Sequence, residues 1–262
     1  MCDLIYLAKN RLEFTKASFT SLMRNTDWSL VDTLWIYDDG STDGTRKWLL
    51  KAALDVPLDK KLFTDSRIGS PAGIMNDYLS RIAAYNDPMQ PNGKQLFAKV
   101  DNDVIVPPGW LNACMRTMVA HHELDLLGIE PPESRTPHLA GGKRSICPEY
   151  DYGVVLGGRP IYAACDSIGG IGLMRRTAFT LNGSIRPHSI YGGFTEWQLQ
   201  NKSVTKGWIC PPLKVFLLDR LPTEPWASLS REYIARGWQR AWSGYDPADP
   251  FWGWWKPQCL TA

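Results

Sequence analysis

Apolar and polar positions along the first half of the chain change period repeatedly, from the two-residue alternation of strands to the spacing of amphipathic helices. Asp3-Leu4-Ile5-Tyr6-Leu7 is a short β-prone run. From Leu12 to Arg24 the apolar residues Leu12, Phe14, Phe19, Leu22 and Met23 recur at helical spacing. Thr33 to Tyr37 predicts a second strand, ending at Asp38-Asp39-Gly40, and Thr42 or Asp43 can cap a helix through about Leu54. Lys61-Leu62-Phe63 reads as a weak third strand. Ser70-Pro71 opens a helix to about Tyr85, with proline in its first turn. Gln95 to Val100 predicts a fourth strand, Pro107-Pro108-Gly109 leads into a helix to about His121, and Leu124 to Ile129 is a fifth strand.

This alternation predicts an α/β domain with a mainly parallel central sheet flanked by helices, a Rossmann-like arrangement. In such sheets ligands bind beyond the carboxyl ends of the strands, and the acidic clusters fall there. From Pro131 to about Asp166 the periodicity gives way to proline, glycine and polar residues, as in Gly141-Gly142-Lys143-Arg144, which predicts a long irregular segment. A strand near Ile171–Met174, a turn at Gly192-Gly193, a helix from about Glu196 to Lys206 and a strand from Lys214 to Leu218 follow. The expected division is a domain over 1–222, with a first half over 1–130 and a second half over 131–222. A Trp-rich C-terminal extension over 223–262 carries Trp226, Trp238, Trp242, Trp252, Trp254 and Trp255. It can stack on sugars or bases, lie at a membrane interface, or pack over the domain; packing with partial acceptor contact fits best, because it lacks a dense lysine face.

Composition narrows the class. There are 262 residues, enough for one large domain, and no apolar run of about 18 residues that would span a membrane. The beginning, Met1-Cys2-Asp3, lacks the basic flank of a signal peptide, so a cytoplasmic location is expected, a host's cytoplasm if the protein is viral. The six cysteines form no Cys-x-x-Cys pair, which argues for reduced thiols rather than a zinc site. The net charge of +2 is unevenly divided: 14 Lys/Arg against 18 Asp/Glu give −4 over residues 1–134, and 15 against 9 give +6 over residues 135–262. A basic second half suits an anionic partner.

Three segments carry candidate chemistry. Asp38-Asp39-Gly40-Ser41 ends a strand, and its carboxylates can accept hydrogen bonds from a uracil or ribose. Asp101-Asn102-Asp103 offers two hard oxygen donors suited to Mg²⁺ or Mn²⁺, which can bridge to a diphosphate. In Gly192-Gly193-Phe194-Thr195-Glu196-Trp197, Thr195 can cap a helix and leave Glu196 ionised in its first turn, able to take a proton. His121-His122-Glu123 reads as helix-terminal dipole partners, and Arg175-Arg176 as a phosphate contact or a surface pair.

Together with Ala8-Lys9-Asn10-Arg11, Gly69 through Asn76, and Gly169 through Arg176, these segments resemble the GT-A nucleotide-sugar glycosyltransferases, especially glycosyltransferase family two, from Ile5 to about Leu221. The resemblance implies the GT-A fold, with residues 1–130 as its nucleotide-sugar-binding half and residues 131–222 as its acceptor-side half. It implies nucleotide-sugar contacts from Ala8, Arg11, Asp38 or Asp39, Asn76, Asp101 and Asn102, and a metal held by Asp101 and Asp103. Glu196 would be the catalytic base, with Gly170, Arg175 and Trp197 on the acceptor side. Relatives often add a late histidine ligand; Val215-Phe216-Leu217-Leu218-Asp219 has none, and Asp219 is the expected replacement. The implied activity is metal-dependent transfer from a UDP-sugar to a hydroxyl, with inversion. The acceptor would be either a hydroxymethylated DNA base, as in bacteriophage DNA glycosylation, or a cell-envelope glycan. The competing readings are a non-catalytic sugar-nucleotide-binding protein and a nucleotidyltransferase; the latter would normally show a glycine-rich phosphate loop, which Leu7-Ala8-Lys9-Asn10-Arg11 is not.

Overall fold

The computed structural model describes residues 1–84, 96–129, 161–164, 168–183, 185, 194–210, 215–221 and 223–237. Its centre is an eight-stranded sheet in the order β3-β2-β1-β4-β8-β6-β9-β7. The strands are β1 (Cys2–Ala8), β2 (Val31–Asp38), β3 (Lys61–Asp65), β4 (Leu96–Asp101), β6 (Leu126–Gly128), β7 (Ile161–Ala164), β8 (Ile171–Arg175) and β9 (Lys206–Cys210). β3, β2, β1 and β4 are mutually parallel. β8 runs against β4 and β6, and β7 against β9, while β6 and β9 are parallel. A separate two-stranded sheet pairs β5 (Val104–Ile105) with β10 (Phe216–Leu217) antiparallel. The fold is therefore α/β with a mainly parallel sheet, as the periodicity predicts.

Strand alternation sorts the core onto two faces. Leu4, Tyr6, Leu34, Ile36, Ala98 and Val100 join one cluster. It is covered by α1 (Leu12–Asn25), α2 (Thr45–Ala52) and α4 (Trp110–Ala120) through Phe19, Leu22, Leu49, Trp110 and Met118. Ile5, Leu7, Trp35, Tyr37 and Phe97 face the other way. There α3 (Pro71–Ala84), α5 (Arg176–Asn182) and α6 (Phe194–Gln200) supply Met75, Tyr78, Phe179, Phe194 and Trp197. β1 is buried on both faces, which its near-continuous apolar run requires. Cys2 and Cys114 are free and buried; burial pushes the Cys2 thiol up to about 12, so it stays protonated.

Several boundaries differ from the sequence reading. The segment read as irregular to Asp166 contains β7, whose four residues pair with β9. The helix expected to reach Lys206 ends at Gln200. Asn201 donates to the Trp197 carbonyl, and Lys206 folds back to donate to the Gln198 and Asn201 carbonyls, so Lys206 caps the helix end from strand β9. α5 escaped notice because it is only seven residues long. α6 begins at Phe194, so Thr195 lies inside its first turn and is not the cap. The strand expected over 214–218 is the two-residue β10. The turns at Gly141-Gly142 and Gly192-Gly193, and the tryptophans from Trp238 onward, lie outside the described residues. Among the described residues no helix is long and apolar enough to cross a membrane.

The first part of the Trp-rich extension forms α7 (Trp226–Ala235), which docks on α1. Phe14 is fully buried there, with Tyr233 edge-on at 5.0 Å and Trp226 tilted at 5.9 Å between ring centroids. Ile105, Leu218 and Leu221 complete this small core, so α7 joins α1 to the β5–β10 ribbon. Truncating Phe14 should open a cavity at that junction. Phe14→Ala should cost about 3–5 kcal/mol in urea denaturation and hasten proteolysis within residues 226–235; a loss below about 1 kcal/mol would mean that α7 is only loosely applied.

Candidate active site

The parallel strands deliver their carboxyl ends side by side. Ala8 at the end of β1 is in register with Asp38 at the end of β2, and Leu7 with Asp101 at the end of β4. The chain winds leftward from β1 through β2 to β3 and then returns to place β4 on the other side of β1. A crevice opens at such a reversal, and ligands of doubly wound sheets bind there.

On the β2 side, Asp38 is fully buried, and one carboxylate oxygen accepts from the Ser41 N–H. Its Oδ1 has no hydrogen-bond partner among the described residues. Burial raises its pKa, against the hydrogen bonds from Ser41. Asp39 is occupied differently: it accepts from Lys9 Nζ at 3.0 Å and from the Gly69 N–H at 3.0 Å, which ties the loop after β3 to the crevice. Asp43 does act near the start of α2, where it accepts from the N–H groups of Thr45 and Leu12.

On the β4 side each carboxylate carries an internal cation. Lys99 and Asp101, two residues apart, share one face of the strand. Lys99 is 3% exposed, and its Nζ lies 2.6 Å from Asp101 Oδ1. Arg11 reaches across from the start of α1 to place Nη1 2.9 Å from Asp103 Oδ2. Desolvation raises the pKa of Asp101, with Asp103 adding repulsion and Lys99 opposing both. Arg11 has its pKa raised: burial works against its charge, but Asp103, Asp219 and Asp101 outweigh it. Asp219 thus belongs to the same cluster. It is brought back by the β5–β10 ribbon, where Leu217 pairs with Val104 and the Leu218 N–H donates to the Asp103 carbonyl at 2.7 Å. Ser230 of α7 donates to the Asp219 carbonyl.

Asp101, Asp103 and Asp219 are hard oxygen donors of the kind that suits a divalent ion such as Mg²⁺ or Mn²⁺. As the side chains stand, no group of three His, Cys, Asp or Glu among the described residues is arranged to hold one, and the positive charges beside Asp101 and Asp103 are those of Lys99 and Arg11.

Other expected site residues have structural employment. Asn102 is 2% exposed. Its Nδ2 donates to the Asn10 carbonyl and Thr15 Oγ1, and its Oδ1 accepts from Arg11 Nη2, so it locks the β1–α1 loop to the turn after β4 instead of facing a ligand. Asn76 makes a reciprocal pair with the backbone of Ile185, which occupies both ends of its amide. Arg175 pairs with Leu96 at the far end of β4 from Asp101, and its guanidinium donates to the carbonyls of Met118, His121 and Leu124 where α4 ends. Trp197 is buried, stacked on Phe179 at 4.6 Å, and donates to the Gly183 carbonyl. Arg175 therefore lies at the far end of β4 from Asp101, and Trp197 is packed in the core.

Gly170 does border the cluster: its carbonyl accepts from the Asp101 N–H, and a Cβ there would lie 2.9 Å from Asp101 Oδ2. Glu196 is carried in the first turn of α6, and its side chain lies outside the described residues. The helix start is tied to the cluster by Lys99, whose Nζ sits 5.7 Å from the centroid of the Phe194 ring. The sequence reading overlooked Lys99, although a lone lysine in the apolar strand Leu96-Phe97-Ala98-Lys99-Val100 is a legible signal of a buried countercharge.

No family model matches the sequence, and no curated protein matches it. Solved structures do share its fold. Residues 1–349 of Staphylococcus aureus TarS superpose with a TM-score of 0.54 at 14% identity, over 90% of this chain and 71% of that one. A Pyrobaculum calidifontis mannosyltransferase, solved with GDP-mannose and Mn²⁺, gives 0.53 at 13% identity; the match covers 80% of this chain and only 54% of that one. The glucosyl-3-phosphoglycerate synthase of Mycobacterium tuberculosis, solved with Mn²⁺, UDP and phosphoglyceric acid, gives 0.53 at 14% identity, over 90% and 76%. The fold is that of the GT-A nucleotide-sugar glycosyltransferases.

The role of Asn102 as a lock is open to measurement. Asn102→Ala strands the Asn10 carbonyl, Thr15 Oγ1 and Arg11 Nη2 and should destabilise the protein by about 2–3 kcal/mol in chemical denaturation; a change under about 0.5 kcal/mol would leave the loop anchored by something else.

Proposed function

We propose that the protein is a metal-dependent glycosyltransferase that moves a sugar from a UDP-sugar to an acceptor hydroxyl with inversion. The observation that carries this reading is the convergence of Asp38, Asp101, Asp103 and Asp219 at the carboxyl ends of strands in a GT-A fold, with α6 beginning beside them. Support comes from the neighbours, whose structures hold UDP or GDP-mannose with Mn²⁺. A non-catalytic sugar-nucleotide-binding protein would have no need for a second carboxylate region at α6.

In this reading Asp38 serves the nucleoside, since its unpartnered Oδ1 is a buried acceptor waiting for a donor N–H or O–H. Asp39 holds the Gly69 loop in place, and the Ala8 carbonyl accepts the Asp39 N–H to close the floor. Asp101 and Asp103 would hold Mn²⁺ or Mg²⁺, with Asp219 as third donor; the ion when bound supplies positive charge against the departing diphosphate. Glu196 takes the proton of the attacking hydroxyl. The acceptor is either a hydroxymethylated DNA base or a cell-envelope glycan; the +6 charge of residues 135–262 suits a polyanion.

Two measurements test this. Asp101→Asn should abolish release of UDP from UDP-sugars in Mn²⁺ while the fold, read by circular dichroism, is kept; full turnover of the wild-type protein in EDTA would refute the metal. Glu196→Gln keeps size and polarity but cannot accept a proton. Its transfer should fall by about 10²–10⁴-fold with UDP binding intact. Hydroxymethylated DNA and glycosides, offered in parallel across a UDP-sugar panel and read by mass spectrometry, identify the acceptor; wild-type rates for Glu196→Gln would remove this residue as the base.

A further inference from the structure

The two carboxylates of Asp101-Asn102-Asp103 face two internal cations of unequal accessibility. Lys99 is 3% exposed and enclosed by Asp101, the Gly170 carbonyl and the Phe194 ring. The Arg11 side chain keeps 14% exposure, and those of Asp103 and Asp101 keep 17% and 29%. Arg11 is also held in an unusual backbone state. Asn10 and Arg11 both have positive φ, 50° and 61°, a conformation that costs a non-glycine residue energy and persists only where the surroundings impose it. Here Asn102 imposes it by holding the Asn10 carbonyl, while Asn10 Oδ1 accepts from the Thr42 N–H. The result aims the guanidinium at Asp103 and Asn102, yet leaves its Nε without a hydrogen-bond partner among the described residues. A guanidinium with a spare buried donor is held by its charge partner more than by a complete set of hydrogen bonds.

We infer that Arg11 is a built-in competitor of the divalent cation for Asp103, so that the cation gains Asp103 only as Arg11 leaves it, and the released guanidinium becomes a countercharge for the donor's diphosphate. This rests on the metal-dependent reading above and deepens it. With Lys99 on Asp101 and Arg11 on Asp103, the turn's two negative charges meet two positive ones, which weakens their pull on a divalent ion. Arg11 is the cation able to yield, because its side chain keeps more exposure than that of Lys99 and its Nε lacks a hydrogen-bond partner among the described residues. Lys99 then acts as a positioning residue for Asp101. The arrangement makes metal and diphosphate mutually supportive: each removes from Arg11 a reason to remain where it is, and such coupling is reciprocal.

The test is direct titration of the full chain with Mn²⁺, followed by electron paramagnetic resonance or calorimetry, with no sugar transfer required. Arg11→Met retains an apolar stem and removes the charge. It should bind Mn²⁺ about tenfold more tightly than the wild type without nucleotide, the factor expected if Arg11 holds Asp103 about nine-tenths of the time. It should also bind UDP more weakly at saturating Mn²⁺. A natively folded Arg11→Met with unchanged or weaker Mn²⁺ affinity overturns the inference. If that variant does not fold, Arg11→Lys carries the test: one ammonium cannot span Asp103 and Asn102 together. It should raise Mn²⁺ affinity about threefold, by the same loss of occupancy at Asp103, and no rise overturns the inference. Wild-type binding of Mn²⁺ with UDP, unaltered by either variant, defeats the inference alone; no Mn²⁺ binding by any form, with or without UDP, defeats the metal-dependent reading and the inference with it.

Discussion

A parallel sheet that ends its central strands in aspartates creates an electrostatic problem at the place where it binds ligands. Asp38, Asp101 and Asp103 are drawn together by the register of β1, β2 and β4, and Asp219 is added by the β5–β10 ribbon. Like charges gathered at low dielectric repel, so the gathering requires countercharge within a few ångströms. Lys99 and Arg11 supply it, and much of the local architecture exists to place them. Lys99 needs only strand alternation. Arg11 needs the left-handed Asn10-Arg11 turn, which needs Asn102, which in turn must be buried and fully bonded. The Asp-x-Asp turn and the β1–α1 loop are thus one unit, and neither keeps its shape without the other.

That unit reaches outward in two directions. Through Asp103 and Asp219 it meets the β5–β10 ribbon and α7, where Ser230 holds the Asp219 carbonyl and Phe14 ties α7 to α1. The extension after residue 222 therefore begins as part of the scaffold beneath the site. Through Lys99 the unit meets Phe194 and the stacked rings of Phe179 and Trp197, which set where α6 begins. The helix that carries Glu196 is positioned by an aromatic stack to which Trp197 belongs.

The sequence reveals the order of the first five elements of the main sheet and their helices because each has a clear period and a turn signal at its end. Asp38 and Asp101 stand out as acids following apolar strands, a pattern with few structural uses. What the sequence hides depends on pairing between distant segments. β7 and β9 lack a period of their own and become strands only beside each other and β6. Asn102, Asn76 and Arg175 read as ligand contacts because polar side chains in site motifs usually face ligands. Here each instead satisfies backbone groups that the fold leaves open: the Asn10 carbonyl, the Ile185 amide and the last carbonyls of α4.

The same distinction separates recognition from support at the acidic crevice. An amide or guanidinium whose bonds all end on backbone is spent on the fold and has nothing left for a ligand. By that measure Asn76 and Arg175 are support; Asn102 is engaged in another way, with its amide divided among the Asn10 carbonyl, Thr15 Oγ1 and Arg11. Asp38 keeps an unpartnered oxygen and Arg11 an unpartnered nitrogen among the described residues, although both are deeply enclosed. Leaving such groups unsatisfied costs stability, and a fold retains them where a ligand makes good the loss. These two residues, one acidic and one basic, stand at the carboxyl ends of adjacent strands: Asp38 ends β2, and Arg11 lies in the loop after β1. A nucleoside diphosphate, with donors at one end and negative charge at the other, is complementary to that pair.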